Sequence, residues 1–156
     1  LTKAGGSGVI TPDLIPDEAD AWLAAAREAD VSTVFLVAPS STDARLAMTV
    51  DHCRGFVYAA STMGVTGARA QVGPAARTLV GRVRAVSDIP VAVGLGVSTG
   101  AQAAEVAAYA DGVIVGSAFV RALLDAASAA EGIERLRALT SELADGVRSG
   151  FRAVPA

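Results

Sequence analysis

The sequence predicts an α/β protein built on a parallel sheet, and three patterns support this. Short valine-rich apolar runs alternate with amphipathic segments along the whole chain. The runs lack the polar alternation of a half-exposed strand, which indicates burial on both faces of a sheet. Glycine pairs follow the last two runs, where a strand would give way to a helix. Strict alternation of strand and helix is typical of parallel sheets with helical crossovers.

Composition limits the class of protein. The 156 residues suffice for one domain with its own core, so we expect residues 1–156 to form a single domain. Hydrophobic residues make up 52%, which argues against disorder, and the net charge of −3 gives no indication of nucleic-acid binding. We see neither a signal peptide nor an apolar run of ~20 residues, and therefore expect a cytoplasmic protein without a membrane partner.

The predicted strands are short and apolar. Before them, residues 1–4 resemble the last turn of a helix that Gly5 and Gly6 would end. The strands themselves are predicted at residues 9–14, 33–38, 56–60, 90–94 and 112–115. Five strands fit either an open doubly wound sheet or part of a barrel, since a complete (β/α) barrel has eight strands in ~250 residues.

The predicted helices carry capping residues or a helical apolar spacing. Pro16 and the acidic pair Asp17-Glu18 open the first, and Ser41 and Thr42 are capping candidates for the second. The third and fourth place apolar residues such as Leu79, Val83 and Val106 on one face. The helices are predicted at residues 17–29, 42–53, 74–86, 99–109, 119–130 and 133–147.

The two glycine pairs indicate a phosphorylated small-molecule ligand. Gly94-Leu95-Gly96 and Gly116-Ser117 follow the last two predicted strands. In (β/α) barrels the loops in this position commonly hold a phosphate on backbone N–H groups. Glycine allows close approach of the backbone, and the helix N-terminus adds a favourable dipole.

Two further features have a functional and a structural interpretation. The segment 61–73 is longer than the usual connection of ~2–6 residues, and its glycines would allow it to act as a lid or as a mobile surface loop.

His52 and Cys53 are adjacent on a helix and do not face each other, and a zinc site requires more ligands. We therefore predict both to be structural and expect no metal site.

Four segments, at residues 9–16, 56–67, 91–98 and 110–118, together resemble the alpha chain of tryptophan synthase. The most specific part is Gly64-Val65-Thr66-Gly67, which resembles the closing loop after that family's sixth barrel strand. The resemblance covers essentially the whole chain and implies strands four to eight of a (β/α)8 TIM barrel. It places the phosphate site at the C-terminal ends of the last two strands.

The resemblance also implies an activity. The family cleaves indole-3-glycerol phosphate to indole and glyceraldehyde 3-phosphate in tryptophan biosynthesis, a retro-aldol reaction that needs a glutamate and an aspartate. Both carboxylates would precede Leu1, so we place no catalytic residue in this chain and predict the isolated chain to be inactive. The implied partner is the tryptophan synthase beta chain, which carries pyridoxal phosphate; this chain itself needs no cofactor.

The site residues that the resemblance implies fall into four groups. Tyr58 and Thr66 would support catalysis, and Leu95 stands where some relatives carry phenylalanine. Phosphate binding is assigned to Gly67, Gly94, Gly96, Gly116 and Ser117. The indole pocket is assigned to Phe56, Tyr58 and Leu95. Contact with the beta chain is assigned to Pro12, Asp13 and Pro16.

Two alternatives remain open on the sequence alone. The chain would also fit a non-catalytic half-barrel, truncated or engineered, that serves as a structural unit. It would also fit another phosphate-binding barrel enzyme, such as an indole-glycerol-phosphate synthase or a phosphoribosyl isomerase. Lys3 is the only lysine, which argues against the synthase because that class needs a catalytic lysine on a strand end.

Overall fold

A computed structural model describes residues 1–60, 74–94 and 96–152, and it confirms the predicted alternation of strands and helices. The candidate lid 61–73 and Leu95 lie outside the described residues. The strands are β1 (Gly8–Ile10), β2 (Ser32–Val34), β3 (Leu36–Val37), β4 (Val57–Ala60), β5 (Val91–Gly94) and β6 (Gly112–Val113). The helices are α1 (Asp20–Glu28), α2 (Asp43–Asp51), α3 (Pro74–Arg84), α4 (Gly100–Ala107), α5 (Ser117–Leu124) and α6 (Ala129–Arg152).

All strand pairs are parallel, and their spatial order follows the chain. β1 pairs with β2, and β3, β4, β5 and β6 pair in sequence. β2 and β3 are two parts of one strand that is interrupted at Phe35, whose N–H donates to Cys53 Sγ at 3.4 Å. A doubly wound sheet would reverse its strand order at one point, and a barrel does not. The order found here is therefore that of part of a barrel.

Several predicted boundaries are wrong, and local chemistry explains them. The first strand ends at Ile10 instead of residue 14, since Pro12 lacks the N–H that would continue the ladder. The predicted helix 119–130 begins earlier, at Ser117, because Gly116 takes the N-cap position. The last helix begins at Ala129 instead of residue 133, where the Ser128 hydroxyl accepts from the N–H of Glu131 at 3.2 Å.

The core lies between the sheet and α2, α3 and α4. Strands β4 and β5 are buried along their whole length, as the apolar runs predict. The helices cover them with Leu46, Leu79, Val83 and Val106, each at most 1% exposed. None of the helices in the described ranges has both the length and the apolar character to cross a membrane.

His52 and Cys53 have structural contacts. The buried Cys53 thiol donates to the Thr49 carbonyl at 3.4 Å and accepts from the N–H of Phe35. Burial raises the pKa of this thiol, and the N–H of Phe35 opposes the shift. His52 Nδ1 lies 2.8 Å from the Met48 carbonyl oxygen. The thiol thus remains protonated and serves the junction between β2 and β3.

Helices α4 and α6 meet at glycine. A Cβ on Gly146 would overlap the carbonyl oxygen of Gly100, and one on Gly150 would overlap that of Ala104. Close by, Glu142 Oε1 accepts from the N–H of Gly100 at 2.7 Å. The two backbones therefore approach more closely than any side chain at these positions would allow.

We expect Gly146→Ala to lower the free energy of unfolding by about 1–3 kcal/mol, because α6 must move away from α4. Gly81→Ala is the matched control: Gly81 is an exposed helical glycine with nothing within 4 Å of its added Cβ. It should gain about 0.5–1 kcal/mol from helix propensity. Urea unfolding of both variants tests this, and equal effects of the same sign would contradict it.

Candidate functional site

The candidate site lies where β5 and β6 end. The two strands are parallel neighbours, with Ala92 opposite Gly112 and Val93 opposite Val113. The N–H of Ile114 continues the pairing by donating to the Val93 carbonyl at 2.8 Å. Neighbouring strands lie about 4.8 Å apart, so the segments that follow Gly94 and Val115 leave the sheet side by side at one edge.

The two glycines at this edge have different conformations. Gly96 has φ of 104°, in the left-handed region that favours glycine. Gly116 has φ of −127° and is the N-cap of α5. Gly96 is half-buried, whereas Gly116 and Ser117 are exposed. Both predicted turns therefore exist, and the second one is open to solvent.

The start of α4, which follows β5, is already occupied by side chains of this chain. Gln102 Oε1 accepts from the N–H groups of Ser98 at 2.8 Å and Thr99 at 3.2 Å. The Thr99 hydroxyl accepts from the N–H of Gln102 at 3.3 Å, which completes a capping box. The N–H of Gly100 donates to Glu142, as described above. An anion at this helix would have to displace these bonds and approach the Glu142 carboxylate.

The start of α5, which follows β6, is open. Gly116 has no side chain to cap the helix. Within the described ranges no acceptor is found for the N–H groups of Ser117 and Ala118, and the Gly116 carbonyl accepts only from Phe119 and Val120. Unpaired N–H groups and the helix dipole favour an anion at such a terminus. Of the two helices that follow β5 and β6, α5 is the one that begins without a side-chain cap.

Tyr58 is positioned at the same edge by the absence of a side chain at Gly94. A Cβ on Gly94 would overlap the Tyr58 hydroxyl, lie 2.6 Å from its Cζ and lie 3.0 Å from Cβ of Ile114. Tyr58 is 8% exposed, so its ring is held against the β5 backbone. Sequence reasoning assigned Gly94 to phosphate binding and missed this steric role. The register places Tyr58 opposite Ala92, two residues before Gly94 on the same face of the sheet, and sequence alone does not give this register.

Other predicted site residues are not gathered at this edge. Phe56 precedes β4. It lines an apolar cavity of about 400 Å³ that starts at the amino ends of the strands, together with Pro90, Ala92, Gly112 and Ile114. Thr66 and Gly67, like Leu95, lie outside the described residues. The assignment of Phe56 to the indole pocket stays a prediction, and the structure places Phe56 two residues before Tyr58 on the same strand face.

The predicted partner segment is only partly on the surface. Pro12 and Asp13 are exposed, and Ile15 is 43% exposed. Pro16 is buried at the start of a short 3₁₀ turn. The assignment of Pro12, Asp13 and Pro16 to a partner contact stays a prediction; Pro16 itself is buried in the turn, and Ile15 is the exposed apolar residue beside it.

Two other side chains have a shifted pKa, and in both the local packing and hydrogen bonds explain the shift. Burial, with the charge of Glu105, raises the pKa of Tyr109, while Arg77, 4.5 Å above its ring, opposes the shift. The N–H of Ala127 and then Arg135 lower the pKa of Glu131. Within the described ranges no group of metal-ligating side chains is found. The edge thus offers an uncapped helix terminus and a positioned tyrosine.

Comparison with known proteins gives one consistent result. The family model described as tryptophan synthase alpha chain matches residues 1–148. The tryptophan synthase alpha chain of Mycobacterium tuberculosis H37Rv is 67% identical over 153 residues, which are 98% of this chain and 54% of that protein. The tryptophan synthase alpha chain of Salinispora arenicola is 65% identical over 149 residues, which are 96% of this chain and 56% of that protein.

Solved structures agree with the sequence comparison. A structure of M. tuberculosis tryptophan synthase matches with a TM-score of 0.84 at 66% identity, over 95% of this chain and 54% of that chain. A chain from a structure of the tryptophan synthase α2β2 complex of Pyrococcus furiosus matches with a TM-score of 0.80 at 35% identity. The match covers 92% of this chain and 57% of that chain. The partial-barrel prediction is thereby confirmed. The chain spans about half the length of the relatives it matches.

We expect Gly94→Ala to lower the free energy of unfolding by about 1–3 kcal/mol, because Tyr58 must leave its place over β5. In a Tyr58→Leu background, which lacks Cζ and the hydroxyl, the same substitution should cost less by about 1 kcal/mol or more. A double-mutant cycle from urea unfolding measures this coupling, and strict additivity would show that the two residues do not compete for space.

Proposed function

We propose that this chain, which belongs to the tryptophan synthase alpha chain family, supplies the phosphate-binding part of the site that cleaves indole-3-glycerol phosphate to indole and glyceraldehyde 3-phosphate. Its role would be that of an alpha subunit in tryptophan biosynthesis. The observation that carries the proposal is the open N-terminus of α5 beside the Gly96 turn. The capped start of α4 supports it, because that helix competes poorly for the same anion.

The residues of this chain bind and orient the substrate. The phosphate sits on the N–H groups of Ser117 and Ala118, with the Ser117 hydroxyl as a further donor and Gly96 permitting close approach. Held there, the substrate extends its indole ring over the sheet toward Tyr58. Backbone donors fixed by a helix and a turn need little rearrangement on binding, which favours a defined substrate position.

The proton transfers belong to carboxylates that the family resemblance places before Leu1. Protonation at indole C3 turns the ring into an electron sink, and removal of a hydroxyl proton from the glycerol chain allows the carbon–carbon bond to break. The products are indole and the aldehyde. This chain then contributes ground-state and transition-state binding through the phosphate, and it needs no cofactor of its own.

The proposed partner is a tryptophan synthase beta chain, which would carry the pyridoxal phosphate. The P. furiosus relative is described as part of an α2β2 complex. In this chain the segment with exposed Pro12, Asp13 and Ile15 lies after β1, at the same edge of the sheet as the α5 terminus. A partner bound there would lie beside the active-site edge.

The anion site predicts a selective effect of one substitution. Glyceraldehyde 3-phosphate should shift the backbone amide NMR signals of Gly96, Gly116 and Ser117. Ser117→Asp should abolish these shifts, because a carboxylate in the first turn repels the phosphate while it favours the helix itself.

Ser128→Asp is the matched control, since it places the same side chain at the start of α6 and keeps the cap for Glu131. It should leave the shifts unchanged. Shifts centred on Ser98 to Gln102, or equal loss in both variants, would contradict the assignment of the phosphate to α5.

The isolated chain should not turn over indole-3-glycerol phosphate, because the acid/base pair that cleavage requires is not supplied by its residues. Release of indole, followed by its absorbance after extraction, is the measurement. Turnover by the purified 156-residue chain above the uncatalysed rate would show that another residue of this chain performs the chemistry.

A further inference from the structure

Helices α4 and α5 follow neighbouring strands, and their first two positions offer the same main-chain donors. Gly100 and Ala101 open α4, as Ser117 and Ala118 open α5. The N–H groups in the first turn of an α-helix have no partner within the helix. Both helix starts therefore present a pair of N–H groups to an anion unless another group binds them first.

The capping box of α4 does not bind this pair of donors. The Thr99 hydroxyl accepts from the N–H of Gln102, which is the third residue of the helix. The Gln102 side chain accepts from the N–H groups of Ser98 and Thr99, which precede the helix. In the part of the chain that the structure describes, no acceptor is found for the N–H of Ala101. The capping box alone would therefore leave the N–H groups of Gly100 and Ala101 to a ligand.

Glu142 of α6 is the group that closes this pair. Its Oε1 accepts from the N–H of Gly100 at 2.7 Å. No arginine or lysine of the described ranges forms an ion pair with this carboxylate, so no neighbouring cation neutralises its charge. A carboxylate at a helix N-terminus takes the place of a bound anion and repels a second one.

The packing of α6 on α4 holds the carboxylate in this position. Gly146 lies one turn after Glu142 on the same face of α6, and the absence of a side chain there allows close contact with the Gly100 backbone. A Cβ on Gly100 would lie 2.7 Å from the Glu142 carbonyl oxygen and 3.0 Å from its Cγ. Glycine on both helices thus sets the distance at which Glu142 reaches its donor.

We propose that Glu142 is a specificity-determining residue of the phosphate site, because it excludes the substrate phosphate from α4 and leaves the start of α5 to bind it. The inference rests on the proposed function, in which the phosphate binds at α5. It adds the residue that selects between two otherwise similar helix starts. A phosphate at α4 would shift the substrate by about the spacing of neighbouring strands, ~4.8 Å, which is enough to misplace the reacting bond.

Amide NMR of the 156-residue chain during titration with inorganic phosphate tests the proposal. In the wild-type chain the signals of Gly100 and Ala101 should not respond to phosphate. Glu142→Ala should produce saturable shifts of both signals. We expect the affinity at α4 to rise about tenfold or more, since a charged acceptor no longer competes for the N–H of Gly100. Absence of phosphate-dependent shifts at these two amides in the variant overturns the proposal.

Glu134→Ala is the matched control, because it removes the same side chain from an exposed position of α6 where Glu134 pairs with Arg137. The net charge changes equally, so phosphate-dependent shifts of Gly100 in this variant would show a general charge effect and overturn the proposal.

Glu142→Gln keeps the size and an acceptor oxygen and removes only the charge. It should raise the affinity at α4 less than Glu142→Ala does. No rise at all would contradict the role of the charge.

Exchanging the carboxylate between the two helices gives the sharpest comparison. The double variant Ser117→Asp/Glu142→Ala removes the carboxylate from the start of α4 and places one at the start of α5, with the net charge unchanged. Phosphate-dependent shifts should then leave Gly116 and Ala118 and appear at Gly100 and Ala101. Shifts that persist at Gly116 and Ala118 would contradict the selection by charge.

The same titrations separate this inference from the proposed function. Shifts at Ser117 in the wild-type chain, without new shifts at Gly100 in Glu142→Ala, contradict the role of Glu142 and leave the proposed function standing. New shifts at Gly100 in Glu142→Ala, without shifts at Ser117 in either chain, support the role of Glu142 and contradict the proposed function.

Discussion

The parallel pairing of β5 with β6 is the constraint on which the site depends. Because both strands run in the same direction and in register, the turns that follow them leave the same edge. A ligand group at that edge meets two helix starts, and their chemistry differs. α4 begins with its N–H groups bound to Thr99, Gln102 and Glu142, while α5 begins at a glycine with no cap. The proposed binding of an anion at α5 follows from that difference.

The same packing that closes α4 against ligands stabilises the molecule. Glu142 reaches Gly100 because α6 lies directly on α4, and that approach requires glycine at position 146. Similarly, Tyr58 reaches the ligand edge because position 94 has no side chain. Gly146 thus lets Glu142 cap α4, and Gly94 makes room for the tyrosine hydroxyl. Stability and site geometry share these contacts.

Much of this was readable from sequence. The apolar runs predicted the strands, and the glycine pairs predicted both turns, since each depends on local preference. The interruption at Phe35 was not predictable, because it depends on a thiol 18 residues away. The burial of Pro16 and the separation of Phe56 from the glycine turns depend on which face each residue presents. The occupied start of α4 required Glu142, a residue 42 positions from Gly100, and sequence patterns do not report such pairs.

The proposed function requires that the N-terminus of α5 binds the anion. A crystal structure of the chain soaked with glyceraldehyde 3-phosphate tests it most directly. We expect phosphate density within hydrogen-bond distance of the N–H groups of Ser117 and Ala118, with the Gln102 and Glu142 bonds at α4 intact. Density at the start of α4 with those bonds broken, and an empty α5 terminus, would contradict it.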